Sequence, residues 1–255
     1  MRTCTRSCGA PSGSLLFFMT CSRSDRKIFF SIPFFQLALY SSAMKTVKLY
    51  DGDHYLREFE AEVVAVDACG VELDRTVFYA EAGGQAGDSG ALNGLRVVDT
   101  RVVDDRIVHV MEGSPGLRPG DLVVGVIDWD RRYRIMRLHT ASHIMEYFLW
   151  RRYGYMRRTG SYVDDRKDRA DYVHEDRLDP EKLKGVESDT NGFLAEGHPV
   201  EIEVDDGGMR HWSCGPVEML CAGTHVRNTG EIGAVKLKRK NPGRGEERVE
   251  TSLAE

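Results

Sequence analysis

Four residues of this chain have the types and spacing of metal ligands: His139 and His143 in RLHTASHIM, and Cys221 and His225 in CAGTHVRNTG about 80 residues later. Residues at i and i+4 stack on one face of an α-helix, so two imidazoles at that interval reach the same ion. The Cys/His pair repeats the interval. Imidazole nitrogen and thiolate sulfur in a tetrahedral set select zinc; magnesium and calcium want oxygens. A lone HxxxH is a weak signal, because a helical His is commonly a surface or satisfied core residue and a Cys a small apolar one. Two pairs at equal spacing predict one zinc site. With three protein ligands, zinc keeps an open position for water or substrate and drives hydrolysis; with four, it organises a pocket. Spacing does not choose between these.

The elements that must carry these residues are legible in the patterning. From Val47 to Trp129, short alternating runs (FEAEVVAV, VELD, LRVVDTRVV, DDRIVHVM, DLVVGVID) are separated by Gly, Pro and Asn, which indicates a small antiparallel barrel or sandwich. Asp130 then reads as the N-cap of a helix ending at Gly154, with Ile135, Leu138, Met145, Phe148 and Leu149 as its apolar stripe. His139 and His143 flank that stripe. A second helix starts at Asp179 and Pro180, a cap followed by an N1 proline, with Gly185 and Gly192 weakening it. The strand VEIEV follows at 200–204, and GAVKLKRK, NPGRG and EERVE read as a hairpin. The second half is therefore α+β. No repeat, P-loop, coiled coil or low-complexity block occurs.

Length and composition suit one large or two moderate globular domains, at 255 residues and 41% apolar. Cys4, Cys8, Cys21, Cys69, Cys214 and Cys221 have no framework spacing, so the expected compartment is a reducing cytoplasm. The formal charge of −5 argues mildly against nucleic acid, but basic clusters lie beside the presumed ligands. Arg131, Arg132, Arg134 and Arg137 precede the His pair, and Arg151, Arg152, Arg157 and Arg158 follow it. Lys236, Lys238, Arg239, Lys240 and Arg244 follow the Cys pair. Such clusters are often solvated faces; next to metal ligands they favour phosphate contacts. Residues 1–43, with LLFFM, RSDRK and IFFSIPFFQLALY, do not match the remainder and are expected to lie outside the fold, as a mis-assigned start before Met44 or a targeting segment. The apolar run is too short to span a membrane.

HTASH followed by CAGTHVRNTGEIG resembles the second additional domain shared by alanyl- and threonyl-tRNA synthetases and by free-standing alanyl-tRNA editing proteins of the AlaX type. YDGDHYLREFEAEVVAV and VELDRTVFYAEAGGQAGDSGAL are similar to the β domain with a glycine-rich loop that precedes the editing domain in the alanyl branch. The resemblance runs from about Lys45 to Glu250. It implies an α+β chain, with a small N-terminal antiparallel β-barrel domain over 44–129 followed by an α+β zinc-containing editing domain over 130–255.

By the same resemblance the chain is a free-standing hydrolase that removes serine, and glycine, from mischarged tRNA(Ala). It implies Zn2+ on His139, His143, Cys221 and His225. Thr76 would recognise the serine hydroxyl, and Gln85 would contact substrate or hold the loop. The tRNA acceptor end would lie on Lys236, Lys238, Arg239, Lys240 and Arg244. Neither a membrane nor a nucleotide cofactor is expected, and the chain is expected to be a monomer. Two alternatives are a zinc-stabilised tRNA-binding module without activity and an editing domain for seryl-tRNA(Thr). Two departures stand out. The family's GGGQP loop is Ala82, Gly83, Gly84, Gln85, Ala86 here, and CGGTH is CAGTH, which requires a negative φ at Ala222.

Overall fold

The computed structural model describes residues 45–254 apart from Arg244. The expectation for residues 1–43 lies outside the described residues. The described residues form one compact unit.

The first half is made of β1 (Val47–Lys48), β2 (Glu58–Asp67), β3 (Gly70–Leu73), β4 (Arg75–Thr76), β5 (Gly90–Leu92), β6 (Leu95–Val103), β7 (Arg106–Met111) and β8 (Leu122–Ile127). Six of these close into an antiparallel barrel in the order β2-β3-β7-β6-β5-β8. Period-two alternation makes the wall. Along β2, Phe59, Ala61 and Val63 point inward while Glu58, Glu60 and Glu62 face water, and β8 alternates in the same way. The inward residues, with Val71, Leu73, Phe78, Leu92 and Val97, fill the interior.

The second half is built around α1 (Trp129–Tyr153). Asp128, not Asp130, caps it: Asp128 is extended and its carboxylate accepts the Arg131 N–H, while Asp130 lies in the first turn, where negative charge complements the helix dipole. Gly154, at φ +83, ends it. Ile135, Leu138, Met145 and Leu149 are fully buried, and Phe148 is half-buried. Burial reaches well beyond the stripe, because α1 is covered on several sides. One cover is α2 (Pro180–Ala195), capped by Asp179 as its sequence predicts. Another is a four-stranded sheet ordered β14 (Val235–Gly243), β15 (Glu246–Leu253), β10 (Asp168–Val173), β9 (Arg158–Val163). A three-stranded meander, β11 (Glu201–Val204), β12 (Arg210–Cys214) and β13 (Val217–Leu220), brings Trp212 into the same core.

Two of the ties between the halves matter most for the site. Arg132 of α1 is wholly buried and donates to the Asp88 carboxylate, to Val77 O (2.8 Å) and to His54 O (3.2 Å). The 82–86 loop adds itself to the edge of β9: Ala86 N donates to Val163 O (3.0 Å) and Val163 N to Gly84 O (2.7 Å). Among the described residues no helix is long and apolar enough to cross a membrane, and Cys69, Cys214 and Cys221 are free thiols.

Candidate metal centre and its pocket

His139 and His143 project from one face of α1, as their spacing requires. Cys221 and His225 do not lie on a helix; they belong to the irregular segment after β13. Side-chain acceptors, not a helical ladder, shape that segment. Thr224 N–H donates to Gln85 Oε1 (2.9 Å), His225 N–H to His54 Nδ1 (2.9 Å) and Val226 N–H to Thr140 Oγ1 (3.3 Å). Gly223 allows the close approach, since a Cβ there would fall 2.3 Å from His139 Cε1 and 2.7 Å from Gln85 Oε1. Ala222 is not among the residues of positive φ, so the change from glycine is free of strain. The same holds for Ala82, whereas Gly83 (φ +58) and Gly84 (φ +82) keep the left-handed turn.

The four ligand atoms lie within 4.8 Å of one another. Cys221 Sγ is 3.2 Å from His225 Nε2 and 3.6 Å from His139 Nε2. Zinc bonds of about 2.0–2.3 Å in a tetrahedron give edges of roughly 3.3–3.8 Å, so the cluster is close to that size. Both ring nitrogens of His143 are buried without a hydrogen-bond partner. A buried polar atom left so costs about 1–3 kcal/mol, and a cation would remove that cost at the coordinating nitrogen.

The electrostatics agree. Burial lowers His139 to about 3 and drives His143 and His225 well below the usual imidazole range, so all three offer lone pairs. Burial also pushes the Cys221 thiol up, and a cation is what would hold it as thiolate. Behind the ligands, Gln85 Oε1 takes His139 Nδ1–H (2.9 Å), and Gln85 Nε2 donates to Thr224 Oγ1 (2.9 Å). Thr140 Oγ1 lies 3.1 Å from His225 Nδ1. These partners turn the Nε2 atoms toward the cluster.

The cluster opens on a cavity of about 180 Å³ between the 82–84 loop, α1, β9 and the Cys221–Gly223 segment. Ser142 and Asp168 form part of its floor: Ser142 Oγ donates to Asp168 Oδ2 (2.8 Å), and the residues are 5% and 2% exposed. Burial raises the Asp168 carboxyl to about 7. Arg158 also lines the cavity, paired with buried Glu146 (3.3 Å).

With this geometry the relatives can be read. The profile of the family described as tRNA synthetases class II (A) matches residues 34–131, and that of the threonyl and alanyl tRNA synthetase second additional domain matches 213–250. An alanine–tRNA ligase of Saccharolobus islandicus is 33% identical over 237 residues, covering 81% of this chain and 26% of the ligase. Those of Sulfurisphaera tokodaii and Metallosphaera sedula are 34% and 36% identical, each covering 75% of this chain and 24% of the ligase. The chain belongs with the AlaX-like alanyl-tRNA editing domains. It spans about a quarter of the length of the ligases it matches.

Within this editing domain the other expected site residues separate. Gln85 is at the centre, fully buried beside His139. Thr76 is not: it is fully buried on β4, where its hydroxyl accepts from Phe78 N–H (3.0 Å) and pairs with His109 Nε2 (2.8 Å), and it does not line the cavity. Lys236, Lys238 and Lys240 share one exposed face of β14, while Arg239 points to the other and is ion-paired with buried Glu247. Arg244 lies outside the described residues. Of the arginines before the His pair, Arg132 is buried, Arg131 donates to Gly87 O and Arg137 to Ile232 O. Sequence reasoning missed Ser142 and Asp168. Ser142 sits three residues from His139 on the same helical face, which its spacing signals; Asp168 falls in a polar stretch without strand-like apolar alternation.

Proposed function

We propose that the chain is a zinc-dependent deacylase acting in trans in the cytoplasm on seryl-tRNA(Ala), and on glycyl-tRNA(Ala). A small apolar synthetic pocket cannot strongly reject an amino acid that adds one hydroxyl, so a second, hydrolytic site has a physical rationale. The observation that carries the reading is the meeting of His139, His143, Cys221 and His225 at a small cavity, with His143 unpartnered. Those four residues would hold zinc, which supplies Lewis acidity at an open position or, with four protein ligands, order to the pocket. Gln85 fixes the His139 ring; the 82–84 loop and Gly223 keep the cavity narrow enough for a small aminoacyl group. Lys236, Lys238 and Lys240 would meet tRNA phosphates as point charges.

The deciding experiment incubates the full chain with seryl-tRNA(Ala), alanyl-tRNA(Ala) and seryl-tRNA(Thr). Release of serine from tRNA(Ala) well ahead of the other two is expected. Binding that leaves every ester intact would make this a tRNA-binding module, and preferential release from tRNA(Thr) would change the substrate.

A further inference from the structure

Asp168 is a cavity-floor carboxyl whose charge is only partly met. It is 2% exposed, begins β10 and receives the Ser142 hydroxyl on one oxygen. The Arg169 backbone N–H and the charge of Arg158 also favour its ionised form, but among the described residues no other side chain donates to it and no salt bridge reaches it. Arg158, on the cavity wall, makes its ion pair with Glu146 instead. A buried carboxylate without a counter-ion is unfavourable, and proteins pair such groups or leave them for a ligand to pair. Burial raising its proton affinity is the same shortage seen from the other side. Because the Ser142 proton is directed at Asp168, the Ser142 oxygen keeps its lone pairs, so the floor offers acceptors to whatever enters. An acceptor-rich floor whose carboxylate has no directly paired cation fits a small primary ammonium.

We infer that Asp168, oriented by Ser142, binds the α-ammonium group of the aminoacyl ester. This rests on the deacylase reading and adds to it a requirement: the substrate must carry a free, protonated amino group. An N-acylated aminoacyl-tRNA would place an uncharged amide against the carboxyl and be refused.

The test separates binding from turnover. Three hydrolysis-resistant probes are used, adenosine bearing serine in amide linkage at its 3′ position, the same compound N-acetylated, and its glycyl counterpart, with the wild-type chain, Asp168→Asn and Asp168→Leu, each checked for metal content and folding. Wild type is expected to bind the free-amine probe about ten- to a hundredfold more tightly than the acetylated one, the size of a charge-assisted hydrogen bond. Both variants are expected to lose that preference while binding the acetylated probe as wild type does. If Asp168→Asn retains the preference, the ammonium is held elsewhere and the inference is overturned. If Asp168→Asn weakens the seryl probe but leaves its glycyl counterpart unchanged, the carboxyl reads the hydroxyl and the inference is likewise overturned. An ammonium preference without ester hydrolysis would sink the deacylase reading alone.

Discussion

His109 and His143 are both sealed from water, one inside the barrel and one beside the cavity, yet their surroundings are opposite. His109 is satisfied at both nitrogens, by Val71 O (3.0 Å) and by Thr76 (2.8 Å), and packs edge-on to Phe78. His143 has neither nitrogen paired and packs against Trp212 and two further imidazoles. Inside the barrel the imidazole is satisfied by the fold itself, as a structural core requires; beside the cavity both ring nitrogens are left for something from outside. Burial alone therefore does not mark function, and an unmet hydrogen bond within a cluster of like residues does.

The sharpest way to break this contrast is to delete from each side. His139→Ala with Cys221→Ala should reduce zinc from about one per chain to almost none and abolish deacylation, whereas His109→Gln should keep full zinc and lose only stability. Elemental analysis with thermal unfolding reads both. Full zinc in the double variant would remove the metal from the cavity.

The next effect is a pH dependence of the barrel. Burial lowers His109 to about 4 in the folded chain, against an ordinary value near 6.5, so the unfolded chain takes up the proton first. Its contribution is complete above about pH 6.5 and is lost as pH falls toward 4, at about 1.4 kcal/mol per unit. Urea unfolding of wild type against His109→Gln should show the gap narrowing between pH 6.5 and 5; a constant gap would mean that His109 is not held neutral.

Thr76→Val should cost about 1–3 kcal/mol of stability by stranding His109 Nε2, and should leave the ratio of seryl to glycyl hydrolysis unchanged. A fall in that ratio would bring Thr76 back to the substrate. The smallest effect on stability belongs to the surface. Lys236, Lys238 and Lys240 changed together to Ala should weaken tRNA binding and flatten its salt dependence by about 0.7–0.9 in logarithmic slope per lost phosphate contact, with unfolding unaltered. Arg239→Ala should do the reverse, because it strands Glu247.

What the sequence yielded followed the strength of local pattern. His139 and His143 are readable because a helix converts interval into direction, and Phe59, Ala61 and Val63 because a strand does so with period two. Cys221 and His225 carry the same interval for a different reason: their convergence comes from acceptors on Gln85, His54 and Thr140, all distant in sequence. Strands β9 and β10 escaped because β10 turns Asp168 inward along with Ala170 and Tyr172, which erases the apolar alternation. The arginines before His139 look like a phosphate patch in one dimension; in three, several are braces within the fold.

Arg132 is the strongest of those braces, and it bears on modularity. Its guanidinium belongs to α1 but is housed among barrel groups, Asp88 and Val77. Separating the halves would break this pair and open to water the surfaces that seal it. The barrel and the α+β half are therefore expected to melt in a single transition. A chain cut between Ile127 and Trp129 would leave each piece with half of a shared interior.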